Sequence, residues 1–199
     1  MSGVPVLTDQ ESSGRPRGRE AVRTAILEAA ADLMAQHGAA ASLRDIAAAA
    51  GVNLGLIHRH FGNKSDLRRA VLVHLGEAQR TRLEARPGRP SLRELFSALR
   101  EDDRNWRILV RAMMSGEKMV DVQDRFPVVE RIYQLASDAA DPGTSPDEVR
   151  FRVARLIATT LGWLLLEPFI VESLGIEGSP DKLRERLLRE RAKDLGLPE

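Results

Sequence analysis

The chain has 199 residues, a formal net charge of +1, 43% hydrophobic and 30% charged residues, and no cysteine. Disulfides, thiolate metal sites and cysteine nucleophiles are therefore excluded. Aromatics are only 4% while Ala, Leu, Arg and Glu are plentiful, a balance that favours helix over sheet. The polar N-terminus lacks a secretory apolar core. The longest apolar run, Leu161 to Leu166, is far short of the roughly 20 residues that span a bilayer. A cytoplasmic chain without a membrane partner is expected.

Residues 1–18 mix Gly, Pro, Ser and charge without periodicity and read as a disordered arm. Its Arg15 and Arg17, with Arg19 just beyond, suit either DNA phosphates or a plain solubilising tail. In "REAVRTAILEAAADLMAQHG", Val22, Ile26, Ala29, Leu33 and Met34 recur at helical spacing, and Gly38 supplies the stop. Ser42 is an N-cap for "SLRDIAAAAG", with Asp45 at the capping-box spacing. This second helix ends at Gly51, and a short third runs from about Asn53 to His60. Asn63 caps a fourth, whose stripe is Leu67, Val71, Leu72 and Leu75.

"ARPGRPS" breaks the pattern at 85–91. Leu92, Leu95, Phe96 and Leu99 then mark a fifth helix, and Trp106, Leu109, Val110 and Met113 a sixth that ends near Gly116. Val128, Val129, Ile132 and Leu135 mark a seventh. After the loop "DPGTSPDE", the stretch "VRFRVARLIATTLGWLLLEPFIVESLGI" predicts one long helix, kinked or split near Pro168. A ninth, "PDKLRERLLRERAKDLG", carries Leu183, Leu187 and Leu188 on one stripe. No strand-like alternation occurs. The expected class is all-α with about nine helices.

The second and third helices have the proportions of a helix-turn-helix. Ala47 is small where the helices approach, Gly51 can take the positive φ of a tight turn, and Ile57 can pack back on Ile46. The nearby histidines suggest other chemistries. His58 and His60 are two apart, which on a helix turns them roughly 200° from each other. A metal pair needs a spacing of three or four, and His37 and His74 have no spaced partner either, so no metal or other cofactor is expected. Ser65 and Asp66 lie close to His60 but are needed to start a helix. Neither a Gly-x-Ser-x-Gly elbow nor a phosphate loop exists, so an enzyme is not expected. Between Arg15 and Lys64 there are seven Lys or Arg against four Asp or Glu. That +3 excess is compatible with nucleic acid.

The stretch "SLRDIAAAAGVNLGLIHRHFGNKSDL", preceded by a helix ending in "HG", resembles the N-terminal domain of the tetracycline-repressor (TetR) family of bacterial regulators. The matching positions are Ile46, Ala50, Gly51, Val52, Phe61 and Lys64, within about residues 19–67. Later, "GWLLLEPF" is of a kind common in the family. His58 stands where members usually carry Tyr, and Leu54 where many carry a polar or basic residue. Leu54 suits a thymine methyl and cannot hydrogen-bond a guanine.

The resemblance implies an arm (1–18), a helix-turn-helix DNA-binding domain (19–66) and a C-terminal ligand-binding and dimerisation domain (67–199). Asn53, Leu54 and Gly55 would open the recognition helix in the major groove. Arg44 would reach a guanine edge or a phosphate, and Ser42, His58, His60 and Lys64 would hold phosphates. The start of the fourth helix favours an anion beside Lys64. Each of these residues also has a plainer reading as a cap or a solvated charge.

The family further implies a homodimer on a pseudo-palindromic operator. Leu164, Leu165, Phe169 and Leu187 are candidates for the dimer surface. It also implies a small-molecule pocket, for which Phe96, Leu99, Trp106, Leu109, Met113, Tyr133 and Trp163 are candidates; an apolar effector is expected there. A plain core is the competing reading of those seven. The alternative function is a helical small-molecule binder, or an enzyme, whose first quarter is only structural.

Overall fold

The computed structural model describes residues 16–85, 91, 94, 97, 101–176 and 180–195. Its nine α-helices of defined extent are α1 (Arg19–His37), α2 (Leu43–Ala49), α3 (Leu54–Phe61), α4 (Lys64–Glu84), α5 (Arg104–Met114), α6 (Met119–Val122), α7 (Pro127–Ala139), α8 (Pro146–Ser173) and α9 (Pro180–Leu195). A 3-10 turn, Gly38–Ala40, follows α1, and no strand occurs among the described residues. The all-α expectation therefore holds. Most of the expected arm lies outside the described residues, as do Leu92, Leu95, Phe96 and Leu99 of the expected fifth helix. The short α6 had no periodic signal of its own, because one turn is too brief to show a stripe.

The fold is organised around α1 and α4, which pack on each other. On α1, Ile26, Leu27, Ala30, Ala31, Met34 and Ala35 are buried. Three alanines in that set let neighbouring backbones come close. The α4 stripe Leu67, Val71, Leu72 and Leu75 is almost fully excluded from water. Burying each such side chain is worth about 2 kcal/mol. Farther along, α4 meets α7 at Gly76, where an added Cβ would lie 3.3 Å from the Pro127 ring. The fourth helix thus joins the helix-turn-helix to the rest of the chain.

Along α8, Val149, Val153, Leu156, Thr160 and Trp163 are buried, spaced alternately four and three. They form one stripe, and α8 packs on α7 and α9. The two parts Pro146–Trp163 and Leu165–Ser173 meet at a bend of 64°. Pro168 explains it: the ring has no N–H for the carbonyl of Leu164 and crowds that carbonyl. No single helix among the described residues is long and apolar enough to cross a membrane.

An ion cluster fastens α1 to the start of α5. The Arg104 guanidinium donates to Asp102 (2.8 Å), Glu28 (2.9 Å) and Asp32 (2.8 Å). The His74 ring of α4 lies 2.8 Å from the second oxygen of Glu28. Burial alone would raise the Glu28 carboxyl, but the hydrogen bonds with His74 and Arg104 outweigh it and hold its pKa low. The Arg104 hydrogen bond likewise holds Asp102 below its usual value, against some desolvation. Arg104 is raised above its usual value, chiefly by the same bond to Asp102.

Candidate nucleic-acid interface

Three side-chain caps shape this surface. The Ser42 hydroxyl accepts from the Asp45 backbone N–H at 3.1 Å and starts α2. The Asn53 carboxamide oxygen accepts from Leu56 N–H at 3.0 Å and starts α3. The Asn63 oxygen accepts from Asp66 N–H at 2.9 Å and starts α4. Each supplies one of the partners that a helix start lacks. Between α2 and α3, Gly51 has φ +65° and Val52 N–H bonds back to the Ala47 carbonyl at 3.0 Å. A side chain is disfavoured in that left-handed turn. Ile46 and Ile57 are completely buried, locking the two helices together. Arg23 of α1 stacks over Phe61 with its guanidinium carbon 4.8 Å from the ring centre, tying α3 to α1.

The candidate DNA residues fall on this scaffold as follows. Arg44, Asn53, Gly55 and His58 are exposed, while Ser42, Leu54, His60 and Lys64 are half-buried. Gly55 is explained locally, because a Cβ there would come within 3.2 Å of the capping oxygen of Asn53. With that oxygen engaged, Asn53 keeps its amide N–H groups as donors. His58 Nδ1 lies 2.8 Å from the Gly62 carbonyl oxygen. A carbonyl only accepts, so Nδ1 carries the proton and Nε2 is left for an outside partner. The Lys64 ammonium donates to the Ala39 carbonyl at 2.6 Å, which turns it toward the end of α1.

Arg59 was not among the sequence candidates. It is exposed on α3 and makes no side-chain hydrogen bond or ion pair among the described residues. It lies four residues after Gly55, hence on the same helical stripe. That spacing was the available signal, and the flanking histidines drew attention away from it. The nearby carboxylates Asp45 and Asp66 are both occupied at helix starts. The exposed charge on α3 is therefore cationic.

The pocket and dimer candidates are scattered. Phe96 and Leu99 lie outside the described residues. Trp106, Leu109 and Trp163 are buried in the main core, and Met113 is exposed. The Trp163 indole donates to Glu167 one turn on. Tyr133 lines an apolar cavity of about 380 Å3 between α7 and α8, with Phe126, Val129, Val153 and Ile157. Leu165 and Phe169 are exposed on α8, Phe169 by 67%. Leu187 is half-buried beside the core, and the Leu164 side chain lies outside the described residues.

Residues 26–71 match the family model for bacterial regulatory proteins of the tetR family. The chain is 42% identical over 172 residues to the HTH-type transcriptional repressor Rv3405c of Mycobacterium tuberculosis, covering 85% of this chain and 86% of that protein. Its fold is similar to a transcriptional regulator from Rhodococcus sp. Rha1, with TM-score 0.61, 25% identity, and coverage of 87% of this chain and 93% of the other. NalD of Pseudomonas aeruginosa, the secondary repressor of the MexAB-OprM multidrug efflux pump, aligns with TM-score 0.51 at 27% identity, covering 89% of this chain and 96% of that one. A capped helix-turn-helix with a cationic recognition helix, joined to a larger helical body and matched along most of a repressor's length, makes this chain a DNA-binding transcriptional repressor of the TetR family, not an enzyme.

Proposed function

We propose that the chain binds a pseudo-palindromic operator as a homodimer and is released from it by a small apolar effector. The division into an arm (1–18), a DNA-binding domain (19–66) and an effector and dimerisation domain (67–199) belongs to this reading. The observation that carries it is the exposed start of α3, where Asn53 is held by its own cap and Gly55 leaves room for close backbone approach. Asn53, Leu54 and Gly55 meet base edges, with Arg59 beside them. Arg44 takes a guanine or a phosphate, and Ser42, His58, His60 and Lys64 anchor the backbone.

One recognition helix reads too few bases, so two copies hold their helices about 34–36 Å apart, one turn of duplex. The exposed apolar side chains of α8, Leu165, Leu166 and Phe169, support pairing there; Leu164 and Leu187 are proposed members of the same interface. The apolar cavity beside Tyr133 supports an effector of low polarity. Of the other pocket candidates, Trp106, Leu109 and Trp163 belong to the buried core, Met113 is exposed, and Phe96 and Leu99 lie outside the described residues. An effector works only by favouring one arrangement of α4 over another.

Nuclease footprinting of the purified chain across its source genome tests this reading. Protected sites sharing a two-fold motif are the expected result. An absence of any protected site would defeat it.

A further inference from the structure

A second cavity, of about 280 Å3, lies where the end of α1, the start of α4 and the end of α5 meet. It is separate from the apolar cavity between α7 and α8 and shares none of its residues. Three cations from two helices line it: Lys64 and Arg68 on α4 and Arg111 on α5. The only carboxylate in the lining is Glu117. Glu117 is fully used by Arg68 in a two-pronged pair at 2.9 and 2.6 Å. Lys64 and Arg111 have only backbone partners, the carbonyls of Ala39 (2.6 Å) and Ala35 (3.2 Å). The lining therefore holds a formal excess of two positive charges. Arg68 Nε is buried with no partner and closed off from the cavity, so the unused donors of the lining come from Arg111. The Arg111 bond is made through Nε, leaving the two outer nitrogens of its guanidinium. The buried Met34 and Ile108 add an apolar part to the lining. Gly38, at φ +57°, gives the Arg111 stem room to reach the cavity; a Cβ there would come within 3.3 Å of it.

We propose that this cavity binds a small amphipathic carboxylate. Its carboxylate sits among Lys64, Arg68 and Arg111, and its short apolar chain lies on Met34 and Ile108. Planar guanidinium forks suit a carboxylate in two-pronged contact. The volume is just under the usual range for ligand sites, roughly 300–1,000 Å3, so the ligand is small. Occupancy holds Lys64 inward, away from a DNA phosphate. The ligand and the operator therefore compete for one ammonium group. This regulatory half rests on the DNA-binding reading above, while the binding itself does not.

Titration calorimetry of the full chain without DNA tests the binding half, with hexanoate, hexanol and inorganic phosphate as probes. Hexanoate is expected to bind with a Kd of about 1 mM or tighter, and hexanol of equal length is not. Arg111→Gln should weaken hexanoate at least tenfold, and Arg111→Lys should restore part of the loss, with far-UV circular dichroism unchanged in both. No hexanoate binding, or equal binding by Arg111→Gln, overturns the proposal. Phosphate binding as tightly as hexanoate overturns the carboxylate assignment. For the regulatory half, hexanoate should lower operator affinity severalfold in the natural chain and not in Arg111→Gln. Unchanged affinity despite measured binding overturns the competition. If Arg111→Gln itself weakens operator binding as Lys64→Ala does, the cavity is part of the DNA surface and the proposal falls. A chain that binds no DNA in a salt-sensitive way, with or without hexanoate, defeats the earlier reading and leaves the binding half standing.

Discussion

In the proposed complex, Asn53 does two jobs with two ends of one amide. Its oxygen caps α3 through Leu56 N–H, and its nitrogen remains a donor. The two jobs can be separated by substitution. Asn53→Asp keeps a capping oxygen but replaces the donor with a negative charge facing phosphates. Stability to urea should change by less than about 0.5 kcal/mol, because Asp and Asn cap equally well. Operator affinity should drop more than tenfold in a gel-shift titration. Asn53→Ala instead removes the cap and should cost about 1 kcal/mol of stability. Equal losses of affinity and stability in Asn53→Asp would mean that Asn53 is only a cap. Gly51 is a simpler case. Its φ of +65° disfavours any side chain, and Gly51→Ala should lower stability by about 1 kcal/mol in the same urea assay.

Between elements, the most consequential contacts were invisible in the sequence. Caps are local: Ser42, Asn53 and Asn63 each act three residues away, and spacing alone exposed them. The stripes of α1 and α4 and the bend before Pro168 were legible for the same reason. Arg104 was not. Its partners Glu28 and Asp32 lie more than seventy positions away, and no periodicity links them. Arg59 was overlooked because its neighbours suggested a different chemistry.

The cluster also makes a pH prediction. Glu28 and Asp102 have lowered pKa values in the folded chain. Their contribution to stability is complete above the unfolded carboxylate range, about pH 4, and is lost as pH falls through the lower folded values. Arg104→Ala should cost about 2 kcal/mol at neutral pH, since Arg104 is only partly exposed and serves three carboxylates. Scanning calorimetry should show the gap between the two proteins narrowing as the pH drops below about 4. A gap that is constant with pH would mean that Arg104 contributes by packing alone.

At the scale of the whole molecule, two readings meet in α8. Its inner stripe is core, and its outer side leaves Leu165 and Phe169 in water. A chain of this size seldom leaves several large apolar side chains exposed on one helix without a partner. Phe169→Glu should leave the fold intact by circular dichroism and convert a dimer to a monomer in sedimentation. Operator affinity should then fall by at least a hundredfold, because the second half-site no longer adds its contacts. A variant that stays dimeric would move the interface elsewhere. The cavities follow the same logic of position: one lies against α7 and α8, the other where α1, α4 and α5 meet.

We propose that α2 and α3 present a DNA-reading surface anchored by Arg44 and Lys64. It is tested most directly by the salt dependence of binding to duplex DNA carrying the region upstream of the protein's own gene. A dimer with about six or more phosphate contacts should lose affinity steeply, with log K falling by about 0.9 per contact for each tenfold rise in salt. Lys64→Ala should weaken binding and reduce that slope by about one per subunit. Binding that ignores salt, or that is the same in Lys64→Ala and Arg44→Ala as in the natural chain, would mean that α2 and α3 do not form such a surface.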